Sequence, residues 1–217
     1  MANRLEGKVA AITGGNQRIG LAIAQQFAQE GADVAFCYRS NQAGAEELVA
    51  GIQKLRRKAV GFQCDVGRVA DGQKFIADSV AQFGKIDILV NNAGLERHAD
   101  FWDATEEDYD AVLNVNLKGL FFITPAFVTR HLSIELAPLG ITINNIAPGA
   151  IETPINTKLL NDPVKLSALL GNIPLKRLGK PEDVASMAAF LASSESDYAT
   201  ETTFFVDGGL TWNYQEQ

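Results

Sequence analysis

Cysteine, histidine, methionine and tryptophan are each represented only twice among the 217 residues. Nothing in the spacing of Cys37 and Cys64 resembles a zinc or thiol-redox motif, so two buried free thiols in a reducing compartment are expected. His98 and His131 stand apart from any ligand pattern, and no metal site is expected. Basic residues are in deficit: 19 Lys and Arg against 26 Asp and Glu leave a net charge of −7, with no basic run anywhere. Such a surface repels nucleic acid and anionic membrane, so any anion site must come from local geometry. No apolar run approaches the length of a membrane span, and M-A-N-R-L-E-G-K lacks the apolar core of a secretion signal. The expectation is a cytosolic protein without membrane or nucleic-acid partners.

The chain does have apolar content, 47% of its residues, enough for one substantial core, and one domain spanning 1–217 is the default. Strand and helix patterns alternate. Strands are expected at Val9–Ile12, Ala32–Tyr38, Ala59–Cys64, Ile86–Asn91, Ile141–Ala147 and Thr203–Val206. Helices are expected at Ile19–Gln29, Ala43–Leu55, Gly72–Gln82, a long stretch through Asn116, and Pro181–Leu191. Alternation with short connections implies an α/β fold, a doubly wound parallel sheet of the Rossmann type. Ligands of such sheets bind beyond the carboxyl ends of the strands, where the strand order reverses.

Those ends carry the informative residues. Lys8 to Gly20, K-V-A-A-I-T-G-G-N-Q-R-I-G, reads as buried strand, glycine turn and helix start. A helix beginning there points its free N–H groups and positive dipole end at the turn, which favours an anion. Gly14 and Gly20 fit a G-x-x-x-G-x-G spacing, with Arg18 at the middle position. The second strand ends in Tyr38-Arg39-Ser40, where a site for NAD would place an acid to accept the ribose hydroxyls. Arg39 and Ser40 suit a 2′-phosphate, with Arg18 available to the same region, so NADP is favoured over NAD; alternatively Arg39 is a solvated loop charge. Asp65 after the third strand is either a helix cap or an acceptor for an adenine amino group. Asn91-Asn92-Ala93-Gly94 lets the chain pass close to a flat ligand, or is a simple turn.

Together T-G-x-x-x-x-x-G at Thr13 to Gly20, Asp65-Val66, N-N-A-G at Asn91 to Gly94, N-V-N-L-K-G at Asn114 to Gly119, I-A-P-G-A-I-E-T-P at Ile146 to Pro154 and V-D-G-G at Val206 to Gly209 resemble the short-chain dehydrogenase/reductase family, in its order and over nearly the whole chain. The likeness is greatest to the branch with glucose dehydrogenases and 3-oxoacyl reductases. A narrower likeness to pteridine reductases rests on Arg18 and Tyr38-Arg39-Ser40. The resemblance implies an oxidoreductase moving a hydride between NADP(H) and a carbonyl or secondary alcohol of sugar or oxoacyl type. It implies that Gly14, Asn16, Arg18, Ile19 and Gly20 hold the pyrophosphate side of the cofactor, Arg39 and Ser40 the 2′-phosphate, and Asp65 and Val66 the adenine. Asn92, Ala93 and Gly94 would pass behind the ribose, Pro148, Gly149, Ile151 and Thr153 would border the nicotinamide, and Asn116 would be the active-site asparagine. It also implies a homo-oligomer, commonly a tetramer.

The resemblance breaks at one place. The family's chemistry uses a serine and a Tyr-x-x-x-Lys pair one helical turn apart, but positions four after Tyr38, Tyr109 and Tyr198 are Gln42, Leu113 and Thr202. Between Arg130 and Glu135 the pattern passes from one helix to the tail of the next, omitting about one strand-helix unit. A single helix over Glu106–Ala137 would be about 48 Å long at roughly 1.5 Å per residue, far beyond a strand of about 17–20 Å, unless Pro125 breaks it. Loss of a central strand is expected to slide Ile141–Ala147 across to pair with Ile86–Asn91, or to leave an edge bare. The alternatives are a longer molecule of which this sequence lacks a segment, a non-catalytic NADP(H)-binding scaffold or sensor, and a nonfunctional deletion product. Beyond the junction, Ile155–Ile173 matches the family's substrate flap, and Glu201 replaces a customary glycine at a mild backbone cost.

Overall fold

β1 (Val9–Thr13) is buried at all five positions and lies between two parallel partners, β2 (Asp33–Tyr38) and β4 (Ile88–Val90). β3 (Ala59–Gln63) adds to the far side of β2, giving the order β3-β2-β1-β4 in the computed structural model. The structure describes residues 3–97, 99–100, 102–124, 129–154 and 160–213, with the backbone alone for 129–132. His98, Pro125 and Tyr214, and the side chain of His131, lie outside the described residues. The chain gathers into two compact units, Met1–Val128 and Thr129–Gln217, within a parallel α/β fold of the Rossmann type.

In the first unit α1 (Arg18–Gln29), α2 (Gln42–Lys54) and α3 (Val69–Phe83) alternate with the strands. α1 buries Ala22, Ile23, Ala24, Phe27 and Ala28, the i, i+4 spacing of one helix face. A second core layer joins Ala11, Ala35, Cys37, Cys64, Phe75 and Ile123, with Phe62 edge-on to Phe75 at 5.9 Å. Because β2 and β3 lie on one side of β1 and β4 on the other, the order reverses between β1 and β4. This is where a doubly wound sheet opens a crevice.

The helix through Asn116 stops short of a continuous run over residues 106–137, at the place where Pro125 could break it. α4 (Glu106–Leu113) is N-capped by Thr105, passes through a π-helical turn at Asn114–Gly119, and continues as α5 (Leu120–Ile123). It stops at Thr124, which is extended with φ −103° and ψ 105°. The following residue is proline, whose ring drives its predecessor out of the helical region.

The second unit begins with α6 (Thr129–Leu136) and pairs β5 (Asn145–Pro148) with β6 (Thr203–Val206) in parallel. α7 (Pro163–Asn172), in the expected flap segment, α8 (Pro181–Leu191) and the short α9 (Leu210–Asn213) complete it; residues 155–159 of that segment lie outside the described residues. Of the two outcomes open for residues 141–147, a slide onto 86–91 or an unpaired edge, no ladder to 86–91 forms among the described residues. Among the described residues β4 pairs with β1 alone and β5 with β6 alone. Ile141 to Asn144 precede the strand, and side chains link them to residues 199–202: Ile143 N–H donates to Thr200 Oγ1 at 3.1 Å, Asn144 Nδ2 to the Ala199 carbonyl at 2.7 Å, and Thr202 N–H to Asn144 Oδ1 at 3.2 Å. Glu201 is left-handed, φ 62°, as its replacement of glycine implied, and its carboxylate accepts from Ser133 Oγ at 3.1 Å.

Candidate functional site

The glycine turn is built by close approach. Gly14 has φ 66°, and a Cβ there would come within 3.2 Å of the Ala93 Cα. At Gly15 a Cβ would press on the Phe36 ring stem at 2.6 Å, and at Gly20 it would overlap the Gly14 carbonyl oxygen. Gly15 N–H donates to the Cys37 carbonyl at 3.1 Å, so the turn's entry is tied to β2. Past it, α1 starts with Gln17 in the cap position but no side-chain cap and no acid in the first turn. The N–H groups at that end and the dipole behind them have the polarity that favours an anion. Arg18, half-buried, takes φ 53°, a conformation that costs a non-glycine residue about 1 kcal/mol. Ile19 is half-buried and Gly20 buried.

Thr13 joins this turn to β4, a role not drawn from the sequence. Its Oγ1 accepts from Asn92 N–H and Ala93 N–H, both at 3.0 Å, and donates to the Val90 carbonyl at 3.4 Å. Asn92 completes the joint by donating its Nδ2 to the Thr13 and Gly14 carbonyls at 3.0 and 3.1 Å. Its side chain therefore faces the glycine turn and acts on a ligand only through that turn, while Gly94 beyond it is exposed. The available signal was a lone hydroxyl ending an otherwise apolar strand.

Beyond β2, Arg39 and Ser40 are both exposed, and neither Arg39 nor Arg18 has an acidic partner among the described residues. Asn16, grouped with the pyrophosphate ligands by resemblance, is 4% exposed. Its Nδ2 donates to the Ser40 and Asn41 carbonyls at 3.0 and 2.9 Å. Its amide nitrogen is thus committed to the protein. Asp65 is not the cap of α3, whose cap position is Arg68. Instead its Oδ1 accepts from Gly67 N–H at 3.0 Å, closing a turn after β3. Val66 beside it is buried, and its carbonyl would meet a Cβ at Gly119 at 2.5 Å, so the glycine lets the π-helical turn lie against this strand end.

Asn116 sits within that π-helical turn, a local widening often found at functional positions. Its Oδ1 accepts from Leu95 N–H at 2.8 Å and its Nδ2 donates to the Leu95 carbonyl at 2.9 Å. The side chain clasps the segment after β4 and remains exposed on its outer side. Arg97 then binds Asp108 at 2.7 Å, fastening the same segment to the start of α4. Below the sheet end Cys37 and Cys64 are buried and free. A hydrogen bond with Cys64 and burial hold the Cys37 thiol far above its ordinary pKa, so it stays neutral.

In the second unit Pro148 ends β5, and Gly149 passes the Asp207 backbone so closely that a Cβ would lie 2.6 Å from its Cα. Ile151 is 4% exposed and bridges Gly179, so its side chain belongs to the core; Thr153 is half-buried. The V-D-G-G motif explains itself here. Asp207 accepts from Gly209 N–H and Thr211 N–H, both at 2.9 Å, while Gly208 and Gly209 supply φ 64° and 89°. Bonds to Thr211 and then Gly209 hold its carboxyl below the usual carboxylate range. Tyr38 packs near Phe36, and Tyr109 and Tyr198 are exposed; none has a lysine one helical turn on.

Comparison with known proteins agrees with this geometry. The family model described as short chain dehydrogenase matches residues 8–131, and that described as enoyl-(acyl carrier protein) reductase matches residues 126–211. The two meet where the expected strand-helix unit is missing. The 3beta-hydroxysteroid dehydrogenase 1 of Eggerthella lenta is 34% identical over 251 positions, covering 97% of this chain and 96% of that protein. The 3-oxoacyl-(acyl-carrier-protein) reductase of Thermotoga maritima is 37% identical over 247 positions, covering 95% and 99%. Both alignments run longer than the 217 residues of this chain, so the relatives have positions with no counterpart here. A crystal structure of a short chain dehydrogenase from Burkholderia cenocepacia in complex with NADP superposes with a TM-score of 0.90 at 30% identity, covering 96% of this chain and 99% of that one. With matching models from residue 8 to 211 and relatives of this similarity, the chain belongs to the short-chain dehydrogenase/reductase family of oxidoreductases.

Proposed function

We propose that the chain binds NADP(H) and transfers a hydride between its nicotinamide and a carbonyl or secondary alcohol, of sugar or oxoacyl type. One observation carries the cofactor assignment: an uncapped helix N-terminus behind a glycine turn, flanked by Arg18 and Arg39, with no acid where β2 ends. The turn is also sterically set, since side chains at Gly14 or Gly20 would collide with Ala93, Asn92 or the Gly14 carbonyl and distort it. Gly14, Arg18, Ile19 and Gly20 would hold the pyrophosphate, and Arg39 and Ser40 the 2′-phosphate, where guanidinium-phosphate pairing is charge-assisted. Asp65 keeps one carboxylate oxygen for an adenine amino group, and Val66 gives that ring an apolar neighbour. Asn92 and Ala93 shape the wall behind the ribose, while Asn116 holds the loop that passes it. Pro148, Gly149 and Thr153 would border the nicotinamide in the second unit, with Ile151 supporting them from the core. When bound, the cofactor supplies or accepts the hydride.

The solved relative with NADP and curated relatives that include a dehydrogenase and a reductase support this reading. A glucose 1-dehydrogenase of Gluconobacter oxydans, 32% identical, accords with the sugar class of substrate. The absence of Tyr-x-x-x-Lys is the one feature that favours a non-catalytic NADP(H)-binding scaffold or sensor, and the comparisons lend that alternative no support. The location proposed is the cytoplasm and the assembly a homo-oligomer; among the described residues no helix is long and apolar enough to cross a membrane.

Titration of the purified chain with NADPH and NADH, followed by nicotinamide fluorescence, tests the cofactor assignment. Arg39→Ala is expected to weaken NADPH by about tenfold or more, the scale of one charge-assisted contact, and to leave NADH unchanged. Failure to bind either dinucleotide while the fold is intact overturns the proposal. Turnover of NADPH across a panel of carbonyl substrates, with the intact mass of the same sample compared with 23.4 kDa, decides between the enzyme and the scaffold.

A further inference from the structure

The turn that carries Arg39 and Ser40 is held by its backbone, and the holding group comes from the glycine turn. Asn16 is one of the few buried polar side chains of the first unit. Both hydrogens of its Nδ2 are spent on consecutive carbonyls, Ser40 at 3.0 Å and Asn41 at 2.9 Å. The same turn is fixed from two other directions. Gln63 Nε2 donates to the Arg39 carbonyl at 3.3 Å. Asn41 takes φ 63° and caps α2 by accepting Gly44 N–H at 3.2 Å, with Gly44 leaving no Cβ to collide with the Asn41 amide. Of these ties only Asn16 reaches the loop that also bears Arg18, two residues further on.

We infer that Asn16 is a positioning residue for recognition of the 2′-phosphate: its amide locks the glycine turn to the Ser40-Asn41 backbone, so that Arg18 and Arg39 are held as one fixed pair of cations. This rests on the NADP(H) reading above. Without the buried amide, the Ser40 and Asn41 carbonyls lose the protein donor that holds them to the glycine turn. The turn then relaxes, and Arg39 must be ordered by the ligand at the ligand's expense. The pyrophosphate cradle of Gly14, Gly20 and the α1 N-terminus does not depend on Asn16, because the Thr13–Asn92 joint holds it separately. The effect is therefore selective for the phosphate on the ribose.

Calorimetric titration of the full chain with 2′,5′-ADP and with 5′-AMP separates the two contributions. The wild-type chain is expected to prefer 2′,5′-ADP, and Asn16→Ala to reduce that preference by about tenfold while 5′-AMP changes by less than about twofold. In an Arg39→Ala background the same substitution is expected to have little further effect on the ratio, since the contact it positions is already gone. Should Asn16→Ala fail to fold, Asn16→Ser, which keeps one hydroxyl donor, is expected to show an intermediate ratio. Retention of the wild-type ratio in the folded variants, or parallel loss of both ligands, overturns the positioning role with the NADP(H) reading intact. Equal binding of the two ligands by the wild-type chain overturns both.

Discussion

In the first unit β1 and β2 each have a parallel neighbour on both sides and are buried almost throughout, whereas β5 and β6 of the second unit pair, among the described residues, only with each other and are half-buried or exposed at every position. The sequences are equally strand-like: V-A-A-I-T in one and T-F-F-V in the other. What differs is the number of neighbours each strand has. A strand flanked on both sides hides its apolar side chains under helices, while Phe205 on β6 stays half exposed against the exposed Trp212. Both units fix their strand ends with side chains that reach across the chain, Thr13, Asn16, Asn92 and Asn116 in the first and Ser133 and Asn144 in the second. The second adds local clasps, Asp207 on its own turn and Arg177 on Asp183 at 2.7 Å.

The most severe way to break this contrast is Gly20→Val. A branched side chain would be driven into the Gly14 carbonyl and the Asn92 amide. Overpacking against backbone is expected to cost about 3 kcal/mol. That lowers the melting temperature by roughly 6–12 °C, with loss of dinucleotide binding by fluorescence titration. Gly149→Ala makes the corresponding collision in the second unit, against Asp207, at about 2 kcal/mol. If the clasps of that unit are local, limited proteolysis of this variant begins beyond residue 129 while residues 3–124 stay protected. Simultaneous cleavage in both units would show that the ties of the two units are coupled.

Smaller effects sharpen the comparison through two left-handed residues, Arg18 in the first unit and Glu201 in the second. Arg18→Gly is expected to stabilise the fold by about 0.5–1 kcal/mol, because glycine adopts this conformation without strain. It is also expected to weaken NADPH more than NADH in parallel titrations, since a cation beside the phosphates is lost. Glu201→Gly relieves the same strain but removes the bond from Ser133, about 1 kcal/mol in the opposite sense, so its melting temperature is expected to stay near that of the wild type. Equal stabilisation by both substitutions would mean that the Ser133 bond contributes nothing.

Much of the first unit was legible. The apolar run before Thr13, the glycines after it and the alternation of periods lead to β1, the turn and α1 through steric and hydrogen-bonding rules that act over a few residues. Gly14, Gly20, Arg39 and Ser40 fall where such rules place them. Asn92 and Asn16 were assigned to the ligand from their position in a motif, yet the amide nitrogens of both are spent on backbone carbonyls of other strand ends, partners that spacing does not reveal. Thr13 was passed over for the same reason. The helix through Asn116 ends at Thr124, at the break the sequence offered through Pro125. Of the two outcomes open for residues 141–147, the bare edge matches the structure: among the described residues β5 pairs with β6 on one side only.

The order of residues alone determined the α/β class, the family, the glycine turn after β1 and the positive charge just beyond β2, because each depends on neighbours within one turn or one strand. Tertiary structure decided which polar side chains face a ligand and which hold the frame, and which strand lies beside which. Those outcomes depend on hydrogen-bond partners dozens of residues away, and a buried amide takes whichever carbonyl the fold brings to it.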